Sequence, residues 1–147
     1  YLDGNASIDW ILKNTQFKVQ DIVNYGESLG SGVAVQLNLK YEFLCTVLEA
    51  PFTSISDVAN KRYKIYPTKY LVKDKFDNLS KIDQIKSPLL IISGLQDEVV
   101  PHSHSKLLFE KANNRKKTLF IDEAMHNNLY DFGIEKTVIS FTLKIWK

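Results

Sequence analysis

Three residues of this chain have the types and the chain order to carry acyl-transfer chemistry: Ser28, Asp97 and His126. Ser28 is the centre of Gly26-Glu27-Ser28-Leu29-Gly30, which lies between a segment that reads as a strand and one that reads as a helix. A sharp strand-to-helix turn there lifts a serine hydroxyl clear of a sheet, and flanking glycines tolerate the crowded backbone. The following helix aims its positive end at the place where negative charge develops, and the backbone N–H of Leu29 is a candidate oxyanion donor. A serine hydroxyl is a weak nucleophile at neutral pH; it needs a base, and the base needs a carboxylate to orient it. A bare Gly-x-Ser-x-Gly string also occurs in ordinary βα turns, so the partners decide the reading. Asp97, in Ser93-Gly94-Leu95-Gln96-Asp97-Glu98, and His126, in Ala124-Met125-His126-Asn127, each follow a predicted strand. Ser, then acid, then His is the chain order this type of turn requires.

Each of these residues has a plainer reading. Asp97 could cap the helix near Pro101, and Glu98 is an adjacent carboxylate; His126 could be a solvent-facing loop residue. His102 and His104 come too early to follow the acid on a separate strand. With no Cys or carboxylate cluster beside them they read as surface residues rather than a metal pair.

The elements that must position these groups alternate. Leu2, Ala6 and Trp10, with Ile11 beside them, space an amphipathic helix to about Lys13. Val19–Tyr25 is a short β-branched run stopped by Gly26 and reads as a buried strand. Ser28–Leu39 reads as a helix and Leu44–Leu48 as a second strand ended by Pro51. Leu89–Ile92 is a third strand, Ser105–Ala112 a helix, and Thr118–Ile121 a fourth strand. Ile134, Val138, Phe141 and Ile145 keep helical spacing, with Glu135 early and Lys144 and Lys147 late, as the helix dipole favours. Strands alternating with helices imply a parallel sheet covered on both faces, so the fold class is α/β. The three candidate residues then share the carboxyl edge of the sheet, where open α/β sheets place their sites.

Composition bounds the rest. At 147 residues the chain suits a single domain, and 44% hydrophobic residues build a core, which excludes disorder. A formal net charge of +2 argues against a nucleic-acid binder. One Cys excludes a disulfide framework and a multi-Cys zinc site, and points to a reducing, cytoplasmic setting; Cys45, in an apolar strand, reads as inert core. No apolar run approaches the roughly 18 residues of a membrane-spanning helix, and no signal-peptide pattern opens the chain. No metal or organic cofactor is implied. Trp10 and Trp146 read as packing residues. The basic set is 17 Lys to 2 Arg, and Asn and Ile are plentiful, which points to an AT-rich, bacterial genome.

These residues resemble the α/β-hydrolase superfamily, and more closely its branch of serine hydrolases related to prolyl oligopeptidase and serine aminopeptidase domains. The resemblance is carried by Tyr25-Gly26-Glu27-Ser28-Leu29-Gly30-Ser31-Gly32-Val33-Ala34, by Leu48-Glu49-Ala50-Pro51-Phe52-Thr53-Ser54, by Pro88–Gly94 with Asp97–Pro101, and by His126–Tyr130. They span nearly the whole chain in family order. The resemblance implies a three-layer sandwich with a mainly parallel sheet, with Ser28 as nucleophile, Asp97 as acid and His126 as base, acting on a small acyl-ester or peptide-like substrate. Relatives often carry Gly where Ala124 stands.

In the family, four strands, a helix and a His-Gly-type loop precede the nucleophile strand, and that loop donates the second oxyanion N–H. No counterpart is found here, so the expectation is a C-terminal portion with four strands, whose strand 19–25 lies at an edge. Exposed edges invite pairing. Loss of one oxyanion donor costs about 2.7–4 kcal/mol, so the isolated chain is expected to be a weak or inactive hydrolase. The alternative is a non-catalytic remnant, or a half that works with a complementary N-terminal chain or by self-association through that edge.

Between the second and third strands, about residues 53–86, the family places a lid-like insertion. Lys61–Lys86 holds eight basic and three acidic residues, interleaved with Tyr63, Tyr66, Tyr70 and Phe76. Such a segment could favour an anionic membrane surface; the plainer reading is a solvated face with its aromatics packed inward.

Overall fold

The computed structural model describes residues 1–62, 76–113 and 115–146. Tyr63, Tyr66 and Tyr70 of the insertion, and the side chain of Trp146, lie outside the described residues. Helix α1 (Leu2–Asn14) leads through a short 3-10 turn (Val19–Asp21) into β1 (Val23–Glu27), α2 (Leu29–Leu37) and β2 (Cys45–Glu49). Helix α3 (Ile55–Arg62) and a 3-10 turn (Ile82–Gln84) precede β3 (Leu89–Gly94), α4 (Ser103–Lys111), β4 (Lys116–Ile121), a 3-10 turn (Leu129–Phe132) and α5 (Ile134–Trp146).

The four strands form one parallel sheet in the order β1-β2-β3-β4. β2 and β3 are buried along their whole length. That is why they read as continuous apolar runs rather than alternating ones. Alternate side chains nevertheless part to opposite faces. Leu48, Leu89 and Ile91 join Ala34, Val35, Ile82, Ile85 and Leu108 on the α2–α4 side. Cys45, Val47, Leu90 and Ile92 join Leu129, Ile134 and Phe141 on the α5 side. Cys45 is core, as its neighbours in sequence suggested, and burial pushes its thiol pKa up. In the described sheet β1 is an edge.

Two local readings are corrected. The apolar run Val19–Tyr25 is not one strand: the Asp21 carboxylate accepts the Lys18 N–H at 2.8 Å and folds its first residues into a turn. A short polar side chain thus competes with the ladder for the backbone. The strand instead runs on through Gly26 and Glu27, where register with β2 continues to Glu49. In α1 the helix is present but its inner face is not Leu2, Ala6 and Trp10; Leu2 and Trp10 are 85% and 63% exposed. The buried stripe is Gly4, Ile8 and Leu12. A Cβ at Gly4 would lie 2.9 Å from Val33 Cγ1, so this glycine lets α1 close on α2, and Ile8 and Leu12 pack with Val33, Leu37 and Phe43. Two stripes at four-residue spacing were available, and close approach selected the one containing glycine.

Candidate active site

The carboxyl ends of β1, β3 and β4 bring together the three residues the sequence singled out. Ser28 Oγ lies 3.0 Å from His126 Nε2, and His126 Nδ1 lies 2.7 Å from Asp97 Oδ2. The Asp97 side chain is fully buried and that of His126 is 12% exposed. The second oxygen of Asp97 accepts the backbone N–H groups of Val99 at 2.9 Å and Val100 at 2.8 Å. One oxygen is therefore anchored by the backbone and the other is left for the imidazole. Asp97, and not the exposed neighbouring acid Glu98, is the one within hydrogen-bond distance of His126.

Ser28 has φ 45° and ψ −114°, a conformation that L side chains rarely adopt. The surroundings hold it there. Its N–H donates to the Glu49 carbonyl at 2.8 Å, and its own carbonyl accepts from the Ser31 N–H at 3.0 Å and the Ser31 hydroxyl at 2.6 Å. Leu29 opens α2, so its N–H is among those a helix leaves without an intrahelical acceptor. Gly26 is a crowded position: a Cβ there would lie 2.6 Å from the Gly30 carbonyl oxygen and 2.7 Å from the Ala34 Cβ. Gly30 is not, because a Cβ there meets nothing within 4 Å. The expectation that both glycines relieve crowding is thus corrected for Gly30, whose carbonyl is the wall that Gly26 must clear. Gly30→Ala, in the first turn of a helix with open space around it, is expected to raise stability by about 0.5–1 kcal/mol in urea unfolding. A loss of stability would show that position 30 needs glycine for its backbone.

Sequence reasoning missed the contact that joins the acid and histidine loops. A Cβ on Gly94 would sit 2.0 Å from the Ala124 carbonyl oxygen. That carbonyl accepts the Gln96 N–H at 3.0 Å, and Leu95 N–H donates to the Ile121 carbonyl at 2.9 Å. No pattern in the sequence marks which loop this glycine must clear. On the far side of the histidine turn, Asn128 Oδ1 accepts the Met125 N–H at 2.7 Å.

His102 and His104 are not surface residues. His104 is buried, its Nδ1 2.8 Å from Thr53 Oγ1, while that hydroxyl also donates to Asp57 Oδ2 at 2.7 Å. His102 Nδ1 lies 3.1 Å from Ser93 Oγ, and its ring meets Phe120 edge-on at 4.4 Å; burial, and then Lys106, lower its pKa. Both sit on the turn that starts α4, which packs against the sheet. Phe76, within the insertion, packs its ring 5.0 Å from that of Tyr1.

A cleft of ≈ 450 Å³ opens beside His126, lined by Glu98, Val99, Met125 and Asn127 among others. A larger hollow of ≈ 640 Å³ is lined by residues that precede β2, β3 and β4, such as Tyr41, Lys86 and Asn113, and so lies at the opposite end of the sheet from Ser28. Among the described residues no helix is long and apolar enough to cross a membrane.

The sequence model of the prolyl oligopeptidase family matches residues 2–128. The chain belongs to that family. Among its relatives of similar sequence is the human alpha/beta hydrolase domain-containing protein 17B, 34% identical over 135 residues, which are 90% of this chain and 45% of that protein. The frog Xenopus laevis protein of the same name is 35% identical over the same shares. This prolyl oligopeptidase-family chain therefore spans about half the length of the curated relatives it matches. Among solved structures, an esterase of Pyrococcus furiosus superposes with a TM-score of 0.74 at 25% identity, over 97% of this chain and 60% of that one. An acetyl xylan esterase from Paenibacillus sp. R4 gives 0.80 at 18% identity, over 98% and 51%. The fold is that of the α/β-hydrolases, covered over about half of those chains.

Proposed function

We propose that this chain carries the catalytic centre of a serine hydrolase that cleaves an ester or related acyl bond. The observation that carries the reading is the continuous line from Ser28 Oγ through the His126 imidazole to the buried Asp97 carboxylate. Ser28 attacks the carbonyl carbon while His126 Nε2 takes its proton; His126 later returns that proton to the leaving group. Asp97 holds Nδ1 in the tautomer that leaves Nε2 free to accept, and stabilises the imidazolium that forms. The Leu29 N–H and the N-terminal end of α2 meet the negative charge on the tetrahedral oxygen. The substrate is a small acyl ester or a peptide-like acyl compound. Similarity to an esterase at 25% identity supports the ester. A single, buried Cys supports a reducing, cytoplasmic setting.

A second reading has its own observation. β1 is an edge of the described sheet, and the chain spans about half of its relatives. On this reading the stretch works only with a further segment that adds strands beside β1, or does no catalysis.

Intact-mass analysis of the 147-residue chain after fluorophosphonate treatment separates the two. One covalent adduct, absent in Ser28→Ala, is expected. A folded chain that gains no adduct overturns independent catalysis and favours the second reading.

A further inference from the structure

The cleft of ≈ 450 Å³ beside His126 has walls that the catalytic residues do not account for. They come from two loops: Gln96, Glu98 and Val99 follow β3, and Met125, His126 and Asn127 follow β4. Neither Ser28 nor Leu29 lines it, so the cleft borders the imidazole without including the nucleophile or the oxyanion donor. Two of its walls are apolar and yet face solvent: Met125 is 59% exposed and Val99 45%. Among the described residues that line it, Glu98 alone carries a fixed charge, and residues 95–102 and 122–128, which form the two loops, contain no Lys or Arg.

The chemistry of acyl transfer fixes which part of a substrate meets this space. The acyl carbon bonds to the serine oxygen, the carbonyl oxygen is held by the N–H groups that open α2, and the bond to the leaving atom breaks as that atom takes the proton held by His126 Nε2. The leaving atom must therefore come to the imidazole, and what is attached to it extends into the space the imidazole borders. We propose that the cleft receives the leaving group, and that Glu98 makes it selective for leaving groups that carry a positive charge among small apolar groups, such as a methylated ammonium. The proposal rests on the serine-hydrolase reading for its place in the reaction; the charge selectivity of the cleft does not.

A carboxylate beside exposed methyl and thioether groups suits both halves of such a cation. Its methyls cover Val99 and Met125, whose side chain adapts its shape, and its charge is met by Glu98. An anionic leaving group of the same size finds the same apolar surface and is repelled. The volume suits a small molecule, since ligand clefts run from about 300 to 1,000 Å³. Glu98 is exposed, so water and salt screen it and hold the selectivity to about fivefold.

Met125 is the sole methionine of the chain, so methyl carbon-13 methionine gives a single NMR resonance in the cleft. The full chain and Glu98→Gln are titrated at low salt with choline, with its neutral carbon isostere neohexanol, and with the anion hydroxypivalate. Choline is expected to bind about fivefold more tightly than neohexanol to the wild type and equally to Glu98→Gln, with the anion weakest in the wild type. Glu98→Lys, at the same exposed position, should reverse the order of choline and the anion. The same proteins are given butyrylcholine and neohexyl butyrate. The ratio of their kcat/KM values should fall about fivefold in Glu98→Gln, a comparison in which the esters' own reactivities cancel. A Met125 resonance that responds alike to all three alcohols, or to none, overturns the proposal, as does a choline preference that survives both substitutions. Cleavage of both esters with an unchanged ratio overturns it and leaves the hydrolase reading standing. A choline preference lost in Glu98→Gln, in a chain that cleaves neither ester, upholds the selectivity and defeats the hydrolase reading instead.

Discussion

Asp97→Asn is expected to lower the rate of hydrolysis, or of fluorophosphonate labelling, by about 10⁴-fold while leaving the fold intact. The hydrogen bonds around Asp97 say why the loss should be so large. One carboxylate oxygen accepts two backbone N–H groups, from Val99 and Val100. In the variant only the amide oxygen can accept them, so the amide nitrogen is forced into the position of Oδ2, 2.7 Å from His126 Nδ1. A donor there requires Nδ1 to be the acceptor, which places the ring proton on Nε2. That nitrogen then faces the Ser28 hydroxyl with a proton already on it and cannot act as the base. The same two backbone bonds keep the acid loop in place, so thermal unfolding should change by only a few degrees. Second-order labelling rates of the two proteins give the result; a loss of less than tenfold would mean that Asp97 does not set the tautomer.

Gly94→Ala should damage stability and chemistry together. The added Cβ would lie 2.0 Å from the Ala124 carbonyl oxygen and 3.1 Å from its Cβ, and both loops are backbone-paired at this point, so neither yields cheaply. Overpacking costs typically about 1–3 kcal/mol, and contact with backbone places this case at the upper end. For a chain of this length about 3 kcal/mol corresponds to roughly 10 °C in Tm. Whatever relief is found must shift Ala124, and with it His126 two residues later, relative to Ser28. A displacement of about 1 Å costs on the order of 10²-fold in rate. Urea unfolding and labelling of the same sample measure both effects. Wild-type stability with a wild-type rate would show that the two loops are not clamped at this glycine. Gly30→Ala, at an open position, is the internal control.

What was legible in the sequence follows from what is local. The Gly26–Gly30 turn, the continuous apolar runs of β2 and β3, and the order Ser28, Asp97, His126 are patterns along one chain, and they sufficed for the fold class and for three residues that meet at the carboxyl edge of the sheet. Asp97 is preferred to Glu98 on sequence alone, although only the Val99 and Val100 N–H groups, which anchor one of its oxygens, supply the reason.

Other features depend on pairs far apart in the chain. The burial of His104 is set by Thr53, 51 residues away. The inner face of α1 was misread because Gly4, Ile8 and Leu12 beat Leu2, Ala6 and Trp10 only once Val33 stood opposite the glycine. The need for glycine at 94 rather than at 30 depends on the Ala124 carbonyl, and the placing of Glu49 beside the serine turn on register between β1 and β2. Residue type and spacing determined which groups could do chemistry and the elements that carry them, because backbone geometry and burial periodicity are encoded within each segment. Tertiary structure alone decided which face each element buries and which glycines are indispensable. Those outcomes are set by contacts between segments distant in sequence.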